Sequence, residues 1–149
     1  MRKSVVHLIV VALTSLVPGI SGCAADPGIP EELRPVHGIW RWDHSVGGIA
    51  DVRMDPDTEG RDLVFHFRRD GTLHIYSAGT HLASPGLEVA GAEPMNGLPT
   101  VVLEYSEPFP FFSFDLGITS HRAVRAAPDT LVLWDPCCGR YRHTLVRVS

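Results

Sequence analysis

Lysine is almost missing from this chain: Lys3 is the only one in 149 residues, and cysteine appears three times. The longest apolar stretch, Leu8 to Val17, covers ten residues and is interrupted by Thr14 and Ser15. A membrane-spanning helix needs roughly 20 apolar residues, so this stretch is too short to be one. Past residue 22 no segment sustains the periodicity of an amphipathic helix, which argues against a helical bundle. Also missing are H-E-x-x-H, G-x-S-x-G, a glycine-rich phosphate loop and carboxylates paired at catalytic spacing. The expectation is a protein that is not an enzyme, with no catalytic residue, no metal and no cofactor.

What is present begins with an export signal. Arg2 and Lys3 supply positive charge, the apolar run follows, and Pro18-Gly19 breaks it. The next residues, Ile20-Ser21-Gly22-Cys23, resemble the lipobox of bacterial lipoproteins. That resemblance implies diacylglyceryl transfer to the Cys23 thiol, cleavage before it, and acylation of the new amino terminus. Two or three acyl chains anchor stably where one is marginal. The membrane, reached through this lipid, is thus the first expected partner. With Ala24 following the cysteine, the resemblance points to the cell envelope and its outer membrane, on either face.

Cleavage after residue 22 leaves 127 residues, enough for one domain. Residues 23–36 hold Pro27, Pro30 and Pro35 with little apolar content, and are expected to form a tether. The folded domain is expected over 37–149. Without Arg2 and Lys3, eleven basic residues face seventeen acidic ones, a balance of −6 before histidine. That is no footprint for nucleic acid or for anionic lipid. The preference for arginine over lysine reads as a compositional bias.

Strand signals dominate the domain. Leu63, Phe65 and Phe67 alternate with polar or smaller residues, and Leu73 and Ile75 alternate with His74 and Tyr76. Asp70-Gly71 between these runs predicts a hairpin from Asp62 to Ser77, closed by a type I′ turn. Further strands are expected at Ile39 to His44, Leu82 to Val89, Thr100 to Tyr105, Ser120 to Ala126, Leu131 to Trp134 and Tyr141 to Val148. Gly47-Gly48, Asp55-Pro56, Asn96-Gly97, Pro128-Asp129 and Asp135-Pro136 supply the turns between them. The expected fold class is all-β: a small antiparallel up-and-down β-barrel of about eight short strands.

Gly38-Ile39-Trp40 resembles the G-x-W signature of lipocalins, in which the tryptophan plugs one end of the barrel. The ordered set around it also includes Ser45 to Ala50, the Phe65 to Tyr76 hairpin, Asp135-Pro136-Cys137-Cys138 and the closing Val146-Arg147-Val148. This set is similar to small bacterial lipoproteins described as lipocalin-like. The similarity covers most of His37 to Val148 and is patchy from Leu82 to Ser120. No T-D-Y motif of longer lipocalins is present. The resemblance implies a barrel that either holds a small apolar ligand or is filled by its own side chains.

Several residues are candidates for a role. Trp40 and Arg147 are expected to stack at the closed end, a cation–π contact contributing roughly 0.5–2 kcal/mol. Phe109-Pro110-Phe111-Phe112-Ser113-Phe114 holds four of the six phenylalanines. Phe109, Phe111, Phe112 and Tyr105 could line an apolar ligand, or the rings could face the core of an edge strand. Cys137 and Cys138 are the thiols left once Cys23 is lipidated. They could form a vicinal disulfide, remain free, or serve redox or metal chemistry with His143 as the nearest imidazole. Asp55-x-Asp57-x-Glu59-Gly60 fails as a calcium loop, since His66 stands at its twelfth position and no helices flank it. His66 and His74 are expected on a solvated face of the hairpin. The function expected is a non-catalytic, lipid-anchored envelope protein binding a small apolar ligand. The alternative is a solid barrel that contacts another envelope protein.

Overall fold

A computed structural model of the chain describes residues 28–92, 94, 97–98, 100–109, 118–135 and 141–149, the side chain of Phe109 excepted. Cys23, Phe111, Phe112, Cys137 and Cys138 lie outside the described residues.

Where apolar residues alternate, strands form with those residues turned inward. Strand β3 (Leu63–Phe67) buries Leu63, Phe65 and Phe67, and β4 (Leu73–Ser77) buries Leu73 and Ile75. The two pair antiparallel, with His66 opposite His74. Their turn differs from the expected type I′. Arg68 N–H donates to Thr72 O at 2.9 Å, and only Gly71 takes a left-handed conformation, at φ 75°. The loop is therefore three residues long, Arg69-Asp70-Gly71. The Asp70 carboxylate holds it by accepting from Thr72 N–H at 3.1 Å.

Strand β1 (Gly38–Gly47) carries Trp40 and Trp42 inward. Two segments share one of its sides: β2 (Val52–Met54) lies opposite Ser45 to Gly47, and β3 lies opposite Gly38 to Arg41. Between them the chain leaves the sheet in one helical turn, α1 (Pro56–Glu59). Asp55 caps that turn in a reciprocal box with Thr58, and Gly60 ends it at φ 63°. The acidic Asp55 to Gly60 segment is thus an excursion within one interrupted strand.

The strand expected from Leu82 to Val89 is split into β5 (Thr80–Ala83) and β6 (Leu87–Ala92). Pro85 cannot donate to a ladder, and the chain bends there. The first piece pairs with β4. The second pairs with β7 (Thr100–Phe109). Residues 80–92 therefore join the two edges of the sheet. Leu73 N–H to Pro85 O at 3.0 Å and Leu87 N–H to Gly71 O at 2.7 Å reinforce the join. The remaining strands are β8 (Ile118–Ala127), β9 (Thr130–Trp134) and β10 (Arg142–Arg147), and β10 returns to pair with β1. Among the described residues, ten strand segments thus occupy eight positions of a small antiparallel β-barrel.

Its interior is packed with Trp40, Trp42, Leu63, Phe65, Phe67, Leu73, Leu103, Leu131, Leu133 and Leu145, each under 2 % exposed. Burying such side chains contributes roughly 1.5–3 kcal/mol each. Packed structure also begins earlier than the expected His37. A 3₁₀ turn over Glu31–Leu33 brings Leu33 and Val36 into the core, and Trp40 Nε1–H donates to Val36 O at 2.7 Å. Two apolar residues on a single turn leave no periodic signal in the sequence. Among the described residues no helix is long and apolar enough to cross a membrane.

Candidate functional site

Among the described residues, one line of polar side chains crosses the apolar interior. Its members come from five strands that are neighbours in the barrel, in the order β1, β10, β9, β8, β7.

On β1 a bulge at Asp43 shifts the alternation by one residue. Trp42 and Ser45, three positions apart, consequently both face inward, each at most 1 % exposed. Trp42 Nε1–H donates to Ser45 Oγ at 2.9 Å. Ser45 Oγ lies 2.7 Å from His143 Nδ1 of β10. On β9 the inward phase runs through Leu131 and Leu133 and continues to Asp135, one residue past the strand. Asp135 N–H donates to Tyr141 O at 3.1 Å, and Tyr141 N–H donates to the Asp135 carboxylate at 3.2 Å. This exchange fixes the carboxylate beside β10. Asp135 Oδ1 then lies 3.1 Å from His143 Nε2 and 3.3 Å from His121 Nε2 of β8. Finally, His121 Nδ1 lies 2.9 Å from the hydroxyl of Tyr105 on β7.

Tryptophan can only donate, so Ser45 Oγ accepts from it and shares its second hydrogen bond with His143 Nδ1. The Tyr105 hydroxyl and His121 Nδ1 likewise share a hydrogen bond. Both rings turn Nε2 toward Asp135 Oδ1. Burial alone would push the Asp135 carboxyl up. The two imidazole N–H groups and their charge outweigh burial and hold it well below the usual carboxylate range. Burial, with the Asp135 charge behind it, pushes the Tyr105 hydroxyl well above its ordinary range. The imidazole side chains are 0 % and 1 % exposed, and Asp135 is 11 % exposed. Two imidazole nitrogens and one carboxylate oxygen therefore converge inside the barrel, where they can share protons or take a cation.

Of the residues singled out from sequence, Arg147 lies over Trp40, its guanidinium carbon 4.9 Å from the ring centroid. Arg147 also donates from Nη2 to His37 O at 2.8 Å. Gly38 gives it room: at φ 134°, a Cβ there would sit 3.0 Å from Arg147 Nη2. Tyr105 stands on β7 with its side chain turned inward. It is 6 % exposed, packs in the core and belongs to the polar line, because its strand turns that face toward His121. Phe109 ends β7, paired with Ile118. His66 and His74 are cross-strand neighbours away from the line.

Ser45, His121 and Asp135 escape the sequence reading, and His143 enters it only beside Cys138. A signal did exist for three of them. His121, Asp135 and His143 stand in phase with the inward Ala123, Leu133 and Leu145 of their own strands. Only the register shows that the three meet. Ser45 was hidden by the bulge, since uninterrupted alternation would turn His44 inward instead. Compared with protein-family models, curated proteins and solved structures, the chain has no match.

Proposed function

We propose that this chain is a non-catalytic, lipid-anchored cell-envelope protein whose lipocalin-like barrel is solid and acts through its outer surface on another envelope component. One observation carries the reading: among the described residues ten large side chains are turned inward at under 2 % exposure, as in a barrel packed by its own side chains. Tyr105, a candidate for ligand lining, is spent on a hydrogen bond inside the core.

The outside offers contact features. Ile49, fully exposed, and Val52, 49 % exposed, stand on the β1–β2 hairpin. A groove of about 660 Å³ beside α1 is lined by both signs of charge, among them Arg41, Asp43, Arg53 and Asp57. Cys23 would carry the anchor, leaving the barrel outside the membrane.

Native mass spectrometry of the protein, extracted gently from its own membrane, tests the reading. The native mass should equal the denatured mass, covalent lipid included. A reproducible extra mass lost on denaturation would overturn the solid barrel and return the domain to carrying a small apolar ligand.

A further inference from the structure

We propose that His121, Asp135 and His143 form a binding site for one divalent transition-metal ion, zinc(II) in the first instance. One donor atom from each of the three residues lies within 4.8 Å of the other two. The carboxylate oxygen stands 3.1 Å from one imidazole nitrogen and 3.3 Å from the other. Zinc takes imidazole nitrogen at about 2.0–2.1 Å and carboxylate oxygen at about 2.0–2.2 Å, in a tetrahedron whose neighbouring donors stand about 3.4 Å apart. Two edges of that tetrahedron are nearly at length already. Closing the third, between the two imidazole nitrogens, brings them together by up to about 1.4 Å.

The surroundings hold the donors in this arrangement. A metal-bound histidine almost always uses its other ring nitrogen in a hydrogen bond that fixes ring orientation. Here His143 Nδ1 meets Ser45 Oγ at 2.7 Å and His121 Nδ1 meets the Tyr105 hydroxyl at 2.9 Å. Both rings are thereby aimed with Nε2 toward Asp135. Two imidazoles with one carboxylate suit zinc and its neighbours, whereas calcium and magnesium take oxygen ligands. Three protein ligands leave a fourth position for water or an incoming group. Asp135, at 11 % exposed, is the member that solvent reaches. On binding, each imidazole ligates as the neutral ring, with Nε2 on the metal and its one proton on Nδ1 facing the hydroxyl oxygen, and any further proton leaves to solvent. The carboxylate stays anionic, and no electron moves. This site does not depend on the envelope reading.

The test uses the full-length chain, purified in detergent, stripped with a chelator and titrated with zinc chloride. One zinc should bind per chain. At zinc roughly a hundred times Kd, Tm should rise on the order of 10 °C. Nitrogen NMR of the imidazoles should show Nε2 of His121 and His143 becoming metal-bound while the other rings stay unchanged. Cobalt(II) in place of zinc should give the visible absorption of a four- or five-coordinate site. The variants Asp135→Asn and His143→Gln, where folded by circular dichroism, should bind at least about 100-fold more weakly. Because these substitutions touch the core, the NMR of the unsubstituted protein decides. No zinc uptake, uptake that leaves the His121 and His143 signals unmoved, or wild-type affinity in folded Asp135→Asn would each overturn the site.

Discussion

Replacing Ser45 by alanine isolates the polar line from the apolar packing around it. The hydroxyl is buried at 0 % exposure, accepts from Trp42 Nε1–H at 2.9 Å and meets His143 Nδ1 at 2.7 Å. Serine to alanine changes volume little, so the cavity left is small. The loss is two buried hydrogen bonds, each about 1–2 kcal/mol when its partner stays in the interior, for a total of about 2–4 kcal/mol. For a domain near this size, 1 kcal/mol moves Tm by roughly 4 °C, so the midpoint should fall by about 8–16 °C. Guanidinium unfolding in the presence of chelator, followed by tryptophan fluorescence and far-UV circular dichroism, measures the change. An unaltered m-value would show that stability, not the unfolded state, has changed. Ser84→Ala is the control: that exposed hydroxyl lies 2.6 Å from His81 on the surface, and its removal should cost under about 0.5 kcal/mol. If Ser45→Ala costs no more than Ser84→Ala, the line does not hold the fold together as described.

The other expectations test separate links. Burial pushes the Tyr105 hydroxyl above its ordinary range, so the folded state keeps a proton that the unfolded state sheds above about pH 10, and stability falls as pH rises past that point. Tyr105→Phe should therefore show a shallower loss of Tm between pH 9 and pH 11 than the parent, and equal slopes would refute the assignment. Arg147→Ala should cost about 1–2 kcal/mol in chemical denaturation, through the 4.9 Å contact with Trp40 and the bond to His37 O. Arg147→Lys should recover part of that loss, since lysine keeps the charge without the planar fork. Cys23→Ser should move the protein out of the detergent phase in membrane fractionation, and unchanged partitioning would refute a lipid on Cys23.

Much of the barrel was legible because side-chain alternation is a local property. Leu63 to Phe67, Leu73 to Ile75 and Leu131 to Trp134 announce both strand and inward face. Interruptions were harder to read. The break at Pro85 became visible once each half found a different partner, and the role of Leu33 and Val36 depended on a single turn packing beneath a distant strand. For the polar line, residue types alone were ambiguous: a histidine among arginines on β8 reads as surface until its phase is aligned with Ala123. The bulge at Asp43 moved Ser45 inward against the simple pattern. Trp40 and Arg147 could be paired from sequence because they stand at the two ends of the domain, where a closed barrel brings first and last strands together.

That meeting of first and last strands bears on how long the folded molecule lasts. Around the barrel each position pairs with the next along the chain, and the β1–β10 pairing is the exception among the described residues. Ser45 and His143, 98 residues apart, clasp it from inside, and Trp40 with Arg147 clasps it at one end. The local hairpins can zip in any order, but this seam must wait for both ends of the chain, as long-range contacts do. Contacts formed after the folding barrier do little for the speed of folding and much against unfolding. The clasps across the seam would then act as a latch on lifetime, slowing escape from a structure whose assembly they barely hasten.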